Sequence, residues 1–299
     1  MTLYQQQSKN IRKTWALVLV FAVVVIGLGW FISYYYGDPS VLYIAVVFAL
    51  IMNIGSYWFS HKIVVSISGA KEAGPEYREI NNLLENLAIS QGMQKPKLYV
   101  IQDNVPNAFA TGRNEKHAVV AVTTGIISLL ERNELEGVLA HELGHIKNKD
   151  MLLSTMVVVL VGFITIISDM FLRGVMFGGS GDRDNKAGGV LILIGIVLMI
   201  LSPIVAKLIH FAVSRKREFM ADATGALMTR YPEGLASALQ KIENYSKTTG
   251  GKMKKANHAM AHMYISNPFG SKARGVWSKM WSTHPATEDR VHALLSGQL

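Results

Sequence analysis

Two long apolar runs near the start of the chain restrict its fold more than any other feature. Residues 15–36 carry no charged side chain, and a second charge-free run fills residues 39–59. An α-helix rises about 1.5 Å per residue, so each run is long enough to cross roughly 30 Å of hydrocarbon. Two further apolar runs cover residues 151–172 and about 188–206. We therefore predict an integral membrane protein, mainly α-helical, with four transmembrane helices.

Basic residues set the expected orientation of these spans. Lys9, Arg12 and Lys13 precede the first span, and Lys and Arg collect on the cytoplasmic side of membrane proteins. The N-terminus is then cytoplasmic, and four spans return the C-terminus to the same side. A cleaved signal peptide fits less well, because the first apolar run exceeds the usual length of roughly 7–15 residues and a second run follows at once.

The composition narrows the classes of partner. The formal net charge is +9, which fits a topology signal and a cytoplasmic surface that attracts anionic lipid headgroups. The sequence has no interleaved aromatic and basic motif for DNA or RNA. We therefore expect the lipid bilayer, and no nucleic acid, as a partner. The chain has no cysteine, which excludes disulfides and thiolate metal ligands.

The polar residues form two blocks, one before and one after the second pair of spans. In the first block, an apolar stripe predicts a helix within residues 75–93, and "KLYVIQ" and "HAVVAVTT" predict strands. A longer helix follows, with Asn133 as its N-cap and Glu136 three residues later. The second block is helical, with a polar run at residues 244–258 that we expect to be mobile. These patterns predict an α+β domain with a small sheet.

The pentapeptide "HELGH", His141 to His145, combines two metal-binding side chains with a carboxylate. The two histidines lie one helical turn apart, so their imidazoles project from one face and can bind one ion. Glu142 lies about 100° around the helix, where it can take a proton from a metal-activated water. Two imidazoles and one carboxylate suit zinc. The same five residues also occur by chance on exposed helices, so the motif alone leaves a structural interpretation open.

A catalytic zinc needs three protein ligands and an open position. The metzincin continuation needs Gly at 148 and His at 151, and neither is present. The remaining glutamates are Glu218, Glu233, Glu243 and Glu288. The motif runs into the third span without a proline or an obvious turn, and spans three and four form an antiparallel pair. Glu218 follows the fourth span closely, so this geometry favours it as the third ligand.

Asp222 lies one helical turn after Glu218. A carboxylate there can accept the free N–H of a ligand histidine and fix its tautomer. The alternative for "REFMAD" is an exposed helix with local Arg–Glu pairs, each contributing about 0.2–0.5 kcal/mol. The position after the fourth span favours the metal-site interpretation.

Three motifs in this order, "HELGH", "EFMAD" and "THP", resemble the HtpX family of membrane zinc endopeptidases. The likeness covers nearly the full chain, including the four spans and "PNAFATG". That family is of the gluzincin type and is related to the CaaX prenyl endopeptidases and a mitochondrial inner-membrane stress protease. The resemblance implies a multi-pass protein of the bacterial inner membrane with a cytoplasmic, zincin-like catalytic domain. It also implies that damaged or misassembled membrane proteins are its substrates in the envelope stress response.

Residue by residue, the resemblance implies a set of site roles. His141, His145 and Glu218 would bind one Zn²⁺ per subunit, Glu142 would be the general base, Asp222 and Arg290 would support the ligands, and His284 would face the scissile carbonyl. The edge strand Asn107, Ala108, Phe109 and Ala110 would bind extended substrate through its main chain. A lone His-Pro turn is more often structural, and a surface hairpin is the alternative for the strand.

These expectations divide the chain into four parts. Residues 1–60 form two transmembrane helices, 61–150 the first part of the catalytic domain, 151–213 a transmembrane hairpin and 214–299 the second part of the domain. Two other functions stay open, namely a dedicated processing protease for one peptide or lipidated substrate and a non-catalytic scaffold stabilised by zinc. Glu142 disfavours the scaffold, because a structural zinc site has no use for a base beside an open position.

Overall fold

The computed structural model describes residues 3–162, 164, 214–257, 259–270 and 285–297. The fourth predicted span, the end of the third, the connector between them and His284 lie outside these residues. The helices are α1 (Leu3–Tyr36), α2 (Ser40–Ser68), α3 (Arg78–Ser90), α4 (Thr124–Leu129), α5 (Arg132–Lys147), α6 (Met151–Gly162), α7 (Arg215–Thr229), α8 (Pro232–Thr249) and α9 (Thr287–Ser296). The strands are β1 (Lys71–Glu72), β2 (Lys97–Ile101), β3 (Ala108–Thr111) and β4 (Val119–Thr123).

Helices α1 and α2 are long and apolar enough to cross a membrane, over Gln7–Phe31 and Ser40–Ser68. They pack on each other, and the small residues Gly29 and Ala45 lie in direct contact between them, as is common where membrane helices meet. Large apolar side chains on their outer surfaces are exposed. The C-terminal half of α2 instead buries a stripe of side chains at helical spacing against the rest of the protein, namely Ser56, Ser60, Val64 and Ser68.

The sheet is mixed and has the strand order β1-β2-β4-β3. Strand β4 is parallel to β2 and antiparallel to β3, so β3 is an edge strand. Both predicted strands are present in β2 and β4, and the small sheet is confirmed. The two-residue strand β1 adds an antiparallel edge that the sequence pattern did not indicate.

Apolar clusters cover both faces of the sheet. Side chains from α3, α5, α8 and α9 pack against one face, around Val120 and Val122. The opposite face, with Phe109 and Ala121, packs against α6 and residues near Tyr264. It also packs against the N-terminal half of α1 and the C-terminal half of α2. Strands β3 and β4 are therefore buried along their whole length. Helices α1 and α2 thus share the second of these apolar clusters with the sheet.

The N-terminus of α5 begins two residues earlier than predicted. Its N-cap is Glu131, and the side chain of Glu134 accepts a hydrogen bond from the Glu131 backbone N–H at 2.8 Å. The prediction of Asn133 and Glu136 was wrong because the same spacing of polar residues occurs twice in this stretch. Lys241 and Ser237 of α8 also bind the Glu134 carboxylate, which ties α5 to α8.

The passage from α5 into the third apolar run contains a break, contrary to the expectation of no turn. Helix α5 ends at Lys147, and Lys149 adopts a left-handed backbone conformation with φ 55°. Helix α6 starts anew at Met151. Side chains of α1 bind the carbonyls at this break, because Gln7 Nε2 donates to Lys147 O at 2.8 Å and Asn10 Nδ2 to Asn148 O at 3.2 Å.

Residues 250–257 and 259–270 form a segment, here called the strap, that lies along the sheet. The expectation of mobility fails at its start, since Met253 is buried and the Lys254 N–H donates to the Asp103 carboxylate at 2.7 Å. Further along, the Ile265 N–H donates to Ala108 O at 3.0 Å. The strap therefore occupies part of the outer edge of β3.

Candidate metal centre

Two glycines allow the helices that carry the metal-binding motifs to approach closely. A Cβ on Gly144 of α5 would lie 2.9 Å from Ala221 O, and a Cβ on Gly225 of α7 would lie 2.9 Å from the backbone nitrogen of His141. Distances this short do not occur for real Cβ atoms, so both positions require glycine. The resulting close packing of α5 on α7 brings the predicted third ligand to the histidine pair.

His141, His145 and Glu218 lie together as predicted. The two Nε2 atoms are 3.2 Å apart, and Glu218 oxygens lie 3.9 Å from His141 Nε2 and 3.7 Å from His145 Nε2. One ligand atom from each of the three residues lies within 4.8 Å of the others. The side chains of His141 and Glu218 are buried, and that of His145 is 19% exposed. These three side chains can hold one metal ion.

Asp222 fixes the orientation of His141. Its Oδ1 lies 2.9 Å from His141 Nδ1, so this nitrogen carries the proton and leaves the Nε2 lone pair for a metal. Arg290 donates to the same carboxylate from Nε at 2.8 Å and from Nη2 at 2.6 Å. Burial opposes ionisation of Asp222, but Arg290 and His141 outweigh it and lower its pKa, so Asp222 is a carboxylate.

Asp150 fixes the orientation of His145 in the same way, a role that the sequence pattern did not indicate. Its Oδ1 lies 3.0 Å from His145 Nδ1, and its side chain is only 3% exposed. The break at Lys149 turns the chain back so that the Asp150 N–H also donates to His145 O at 3.3 Å. The available signal was a lone acid just after the second histidine, but on an uninterrupted helix that position faces away from His145.

The geometry and electrostatics of the site suit a cation. Because both Nδ1 atoms donate to carboxylates, two Nε2 lone pairs and the Glu218 carboxylate converge, and such an arrangement is stabilised by a positive ion between them. Burial opposes protonation of His145, but Asp150, Glu218 and Glu142 outweigh it and raise its pKa to about 10. The same negative surroundings favour a divalent cation. Borderline ligands of this kind are those that zinc prefers.

Glu142 lines the cleft beside this donor set. The cleft is formed by side chains from several elements, including Ala110, Glu142, His145, Arg217, Glu218 and His262. The Glu142 side chain is 1% exposed, and its Oε2 has no hydrogen-bond partner among the described residues. Burial is the main cause that raises its pKa to about 7. A carboxyl group with this pKa can both accept and return a proton near neutral pH.

The four residues of the predicted edge strand have different surroundings. Phe109 is buried on the far face of the sheet, edge to face with Tyr264 at a ring-centroid distance of 5.2 Å. The Asn107 side chain accepts from Ser266 N at 3.1 Å and donates to Ser266 O at 2.9 Å, so it holds the strap. Of the four, only Ala110 lines the cleft with Glu142.

The backbone hydrogen bonds of β3 also distinguish Ala110 from the residues that the strap covers. The Thr123 N–H donates to Asn107 O, so the alternating pattern of an antiparallel ladder points the peptide groups of Ala108 and Ala110 towards the outer edge. The strap binds Ala108 O there through Ile265. The edge that borders the metal-binding residues is therefore the stretch at Ala110.

Arg290 lies six residues after His284 in the sequence. Arg290 is 2% exposed and lies on α9, where its Nη1 is 3.7 Å from Glu218 and its Nη2 is 2.6 Å from Asp222. It therefore links the third ligand to the partner of His141. His284 lies outside the described residues.

Comparison with known proteins gives the family. Residues 75–297 match the family model "Peptidase family M48". The chain belongs to peptidase family M48. As an M48 peptidase with two apolar helices of membrane-spanning length, it is a membrane metalloprotease. His141, His145 and Glu218 lie close enough together to hold a metal ion.

M48 relatives match over nearly the full chain. A "Protease HtpX homolog" of Caldanaerobacter subterraneus subsp. tengcongensis is 42% identical and covers 99% of this chain and 98% of its own. A protein of the same name from Thermoanaerobacter pseudethanolicus is 40% identical over 99% of this chain. The one from Pyrococcus furiosus is 43% identical and covers 94% of both chains. The resemblance to the HtpX family is confirmed.

A solved structure gives the fold-level comparison. The crystal structure of Ste24p from S. mikatae has a TM-score of 0.51 and 17% sequence identity, and the match covers 97% of this chain and 67% of that chain. At this identity the likeness concerns the fold alone.

Proposed function

We propose that this M48 peptidase is a zinc-dependent endopeptidase that hydrolyses damaged or misassembled membrane proteins at the cytoplasmic face of a bacterial inner membrane. The observation that carries the proposal is the convergence of His141 Nε2, His145 Nε2 and the Glu218 carboxylate, with the buried carboxyl group of Glu142 in the same cleft. These residues would hold one Zn²⁺ per subunit.

Each side chain then has a defined task. When bound to two imidazoles and a carboxylate, zinc polarises a carbonyl and lowers the pKa of water to about 7. Glu142 accepts the proton of the attacking water and delivers it to the leaving amine. Asp222 and Asp150 hold the two imidazoles in the tautomer that presents Nε2. His284 keeps the implied role of a donor to the developing oxyanion.

Substrate recognition through the main chain supports a broad choice of polypeptides. The outer peptide group of Ala110 borders the cleft, and its methyl side chain offers little basis for selecting a sequence. An extended peptide that adds to this edge gains backbone hydrogen bonds whatever its side chains. Such tolerance suits the removal of damaged or unfolded proteins, in agreement with the HtpX names of the relatives.

The contact between α1 and α5 supports the proposed topology. Gln7 and Asn10 at the start of α1 bind the end of α5, so the N-terminus and the catalytic residues share one side of the membrane. Lys9, Arg12 and Lys13 precede the first apolar run and favour the cytoplasmic side. With the proposed third and fourth spans, the C-terminus lies there too.

Replacement of Glu142 by Gln tests the activity. Full-length protein is purified in detergent, its zinc content is measured, and cleavage of a partly unfolded membrane protein is followed. We expect E142Q to keep its zinc and to lose cleavage by at least about 100-fold, in the range of general acid–base catalysis. Glu136→Gln on the same helix is the matched control and should cleave normally. Equal cleavage by E142Q and the control would refute the mechanism.

The absence of cysteine from the chain permits a direct test of orientation. Ser8→Cys places a thiol beside Lys9, before the charge-free run of residues 15–36, and Asp38→Cys places one in the turn between α1 and α2. In intact spheroplasts, a membrane-impermeant maleimide should label D38C and not S8C. The opposite labelling pattern would exclude a cytoplasmic active site.

A further inference from the structure

A group of basic and aromatic side chains surrounds the point where α2 leaves its apolar run. We call it the interfacial cluster; its members are Trp58, Phe59, His61, Lys62, Arg113 and His117. Trp58 and Phe59 are 50% and 54% exposed, and aromatic side chains of this kind lie at the membrane–water interface. His61 and His117 face each other at a ring-centroid distance of 6.2 Å. The cluster joins α2 to the turn between β3 and β4.

Arg113 is held firmly while most of its donors stay available. Its guanidinium carbon lies 4.2 Å from the centre of the Trp58 ring, and Nη1 donates to Trp58 O at 3.4 Å. Nη2 donates to His117 Nε2 at 2.8 Å, because His117 Nδ1 donates to Asn114 Oδ1 at 2.7 Å. Among the described residues, hydrogen bonds use two of the five guanidinium donors. The planar group is thus fixed in place and can bind a further acceptor.

The cluster contains cations without matching anions. Among the described residues, no carboxylate lies within 4.0 Å of the charged atoms of Arg113 or Lys62. Elsewhere on the domain, basic side chains such as Arg132 and Lys241 have glutamate partners. Lys62 Nζ lies 5.6 Å from the centre of the Phe59 ring, beside the apolar surface of α2. Positive charge that no described carboxylate neutralises therefore collects where α2 leaves its apolar run, which we place at the depth of the lipid headgroups.

We propose that the interfacial cluster binds the phosphate of an anionic phospholipid headgroup. Guanidinium groups bind phosphate oxygens in a planar, two-point manner, and Lys62 adds a second charge. A free phosphate ion offers the same oxygens, but the exposed Trp58 and Phe59 place the site beside acyl chains. Basic residues at a membrane surface attract anionic lipids, so the lipid is the preferred ligand.

Lipid binding at this place also acts on the substrate edge. Arg113 follows Gly112, the first residue after β3, and Gly112 has φ 151° in a turn where a Cβ would lie 2.6 Å from His117 O. The turn is therefore tight and transmits the position of Arg113 to Ala110. A bound headgroup holds the edge of β3 at the bilayer surface, where membrane substrates emerge.

Native mass spectrometry of the detergent-solubilised, full-length protein tests the proposal. Delipidated protein is titrated with phosphatidylglycerol, with phosphatidylcholine and with inorganic phosphate. We expect phosphatidylglycerol to bind most tightly and Arg113→Gln to weaken its binding by about fivefold or more, with a loss of about threefold to fivefold for Lys62→Gln. Arg132→Gln, which removes an exposed arginine of the same domain, is the matched control and should bind as the wild type does.

Metal content shows whether each variant is folded. If R113Q loses its metal, K62Q decides, because Lys62 lies on a helix surface and has no role in the turn. Equal phosphatidylglycerol binding by K62Q, R113Q and R132Q would overturn the proposal. Displacement of the lipid by equimolar inorganic phosphate would also overturn it, since the site would then bind a free anion.

Discussion

Replacing Asp150 and Asp222 one at a time by Asn should distinguish two roles of these carboxylates, namely supporting metal binding and stabilising the fold. Each accepts the Nδ1–H of one histidine, at 3.0 Å and 2.9 Å respectively. Loss of such a partner weakens metal binding by about 10- to 100-fold. Both variants should therefore bind zinc about 10- to 100-fold more weakly than the wild type, measured by competition with a chelator.

The two variants should differ in stability once the metal is removed. Asp222→Asn leaves Arg290, which is 2% exposed, with Glu218 at 3.7 Å as its nearest carboxylate. Breaking a buried ion pair in this way costs about 3–5 kcal/mol, or a fall in Tm of roughly 6–20 °C for a domain of this size. Asp150→Asn leaves His145, which can release its proton and become neutral, whereas the Arg290 guanidinium stays charged, so D150N should lower Tm by less than D222N.

Thermal unfolding in detergent with excess chelator measures this difference. Asp289→Asn, an exposed neighbour of Arg290, serves as the matched control and should change neither property. Wild-type zinc affinity in D150N would show that Asp150 does not orient His145. Equal Tm values for D150N and D222N without metal would refute the argument from the buried Arg290–Asp222 pair.

Three further changes test contacts outside the metal site. Burial alone would raise the pKa of Glu134, but hydrogen bonds outweigh it and hold the pKa below its ordinary value. The ionised carboxylate therefore stabilises the folded state above the pKa of the unfolded chain, and this stabilisation is lost as the pH falls through the lower pKa of the folded state. E134Q should cost about 1.5–3 kcal/mol at pH 7, and unfolding at several pH values should show this difference shrink as the pH falls through the lowered pKa of Glu134. A difference that does not change with pH would contradict this. Asn10→Ala should cost about 1–2 kcal/mol by leaving Asn148 O unpaired, and an unchanged Tm would show that α1 does not stabilise the end of α5. Gly225→Ala should cost about 1–3 kcal/mol of stability through overpacking and should lower the zinc content. Gly27→Ala is the control, because an added Cβ there would have nothing within 4 Å. Equal zinc content in the two variants would refute the close-packing argument.

The sequence was sufficient for the parts of the site that follow regular spacing. His141 and His145 share a helix face at any α-helical repeat, and Glu218 was favoured because it follows an apolar run. The strands around Val100 and Val120 were also evident from their β-branched residues. These features depend on local periodicity and on one membrane constraint, which a single sequence records.

Features that depend on a backbone break or on distant packing could not be predicted. Lys149 gives no sign of its left-handed conformation, since lysine rarely adopts it, and without that break the role of Asp150 stays hidden. Asn107 was expected to bind substrate through its main chain, and the sequence did not indicate that its side chain binds Ser266, a residue far along the chain. Pairings of this kind are decided by tertiary contacts, and a polar residue in a short strand is compatible with either position.

Helix α1 is part of the packing of the catalytic domain, and this has a practical consequence. Gln7 and Asn10 bind the end of α5, and Leu17 and Phe21 lie in the same apolar cluster as Phe109. A recombinant fragment that starts after α2 would expose one face of its sheet and two carbonyls at the end of α5 to water. Such truncated forms should aggregate or lose metal, and inactivity in them would say nothing about the catalytic residues. Enzymology on this peptidase therefore has to begin with the intact, membrane-extracted chain.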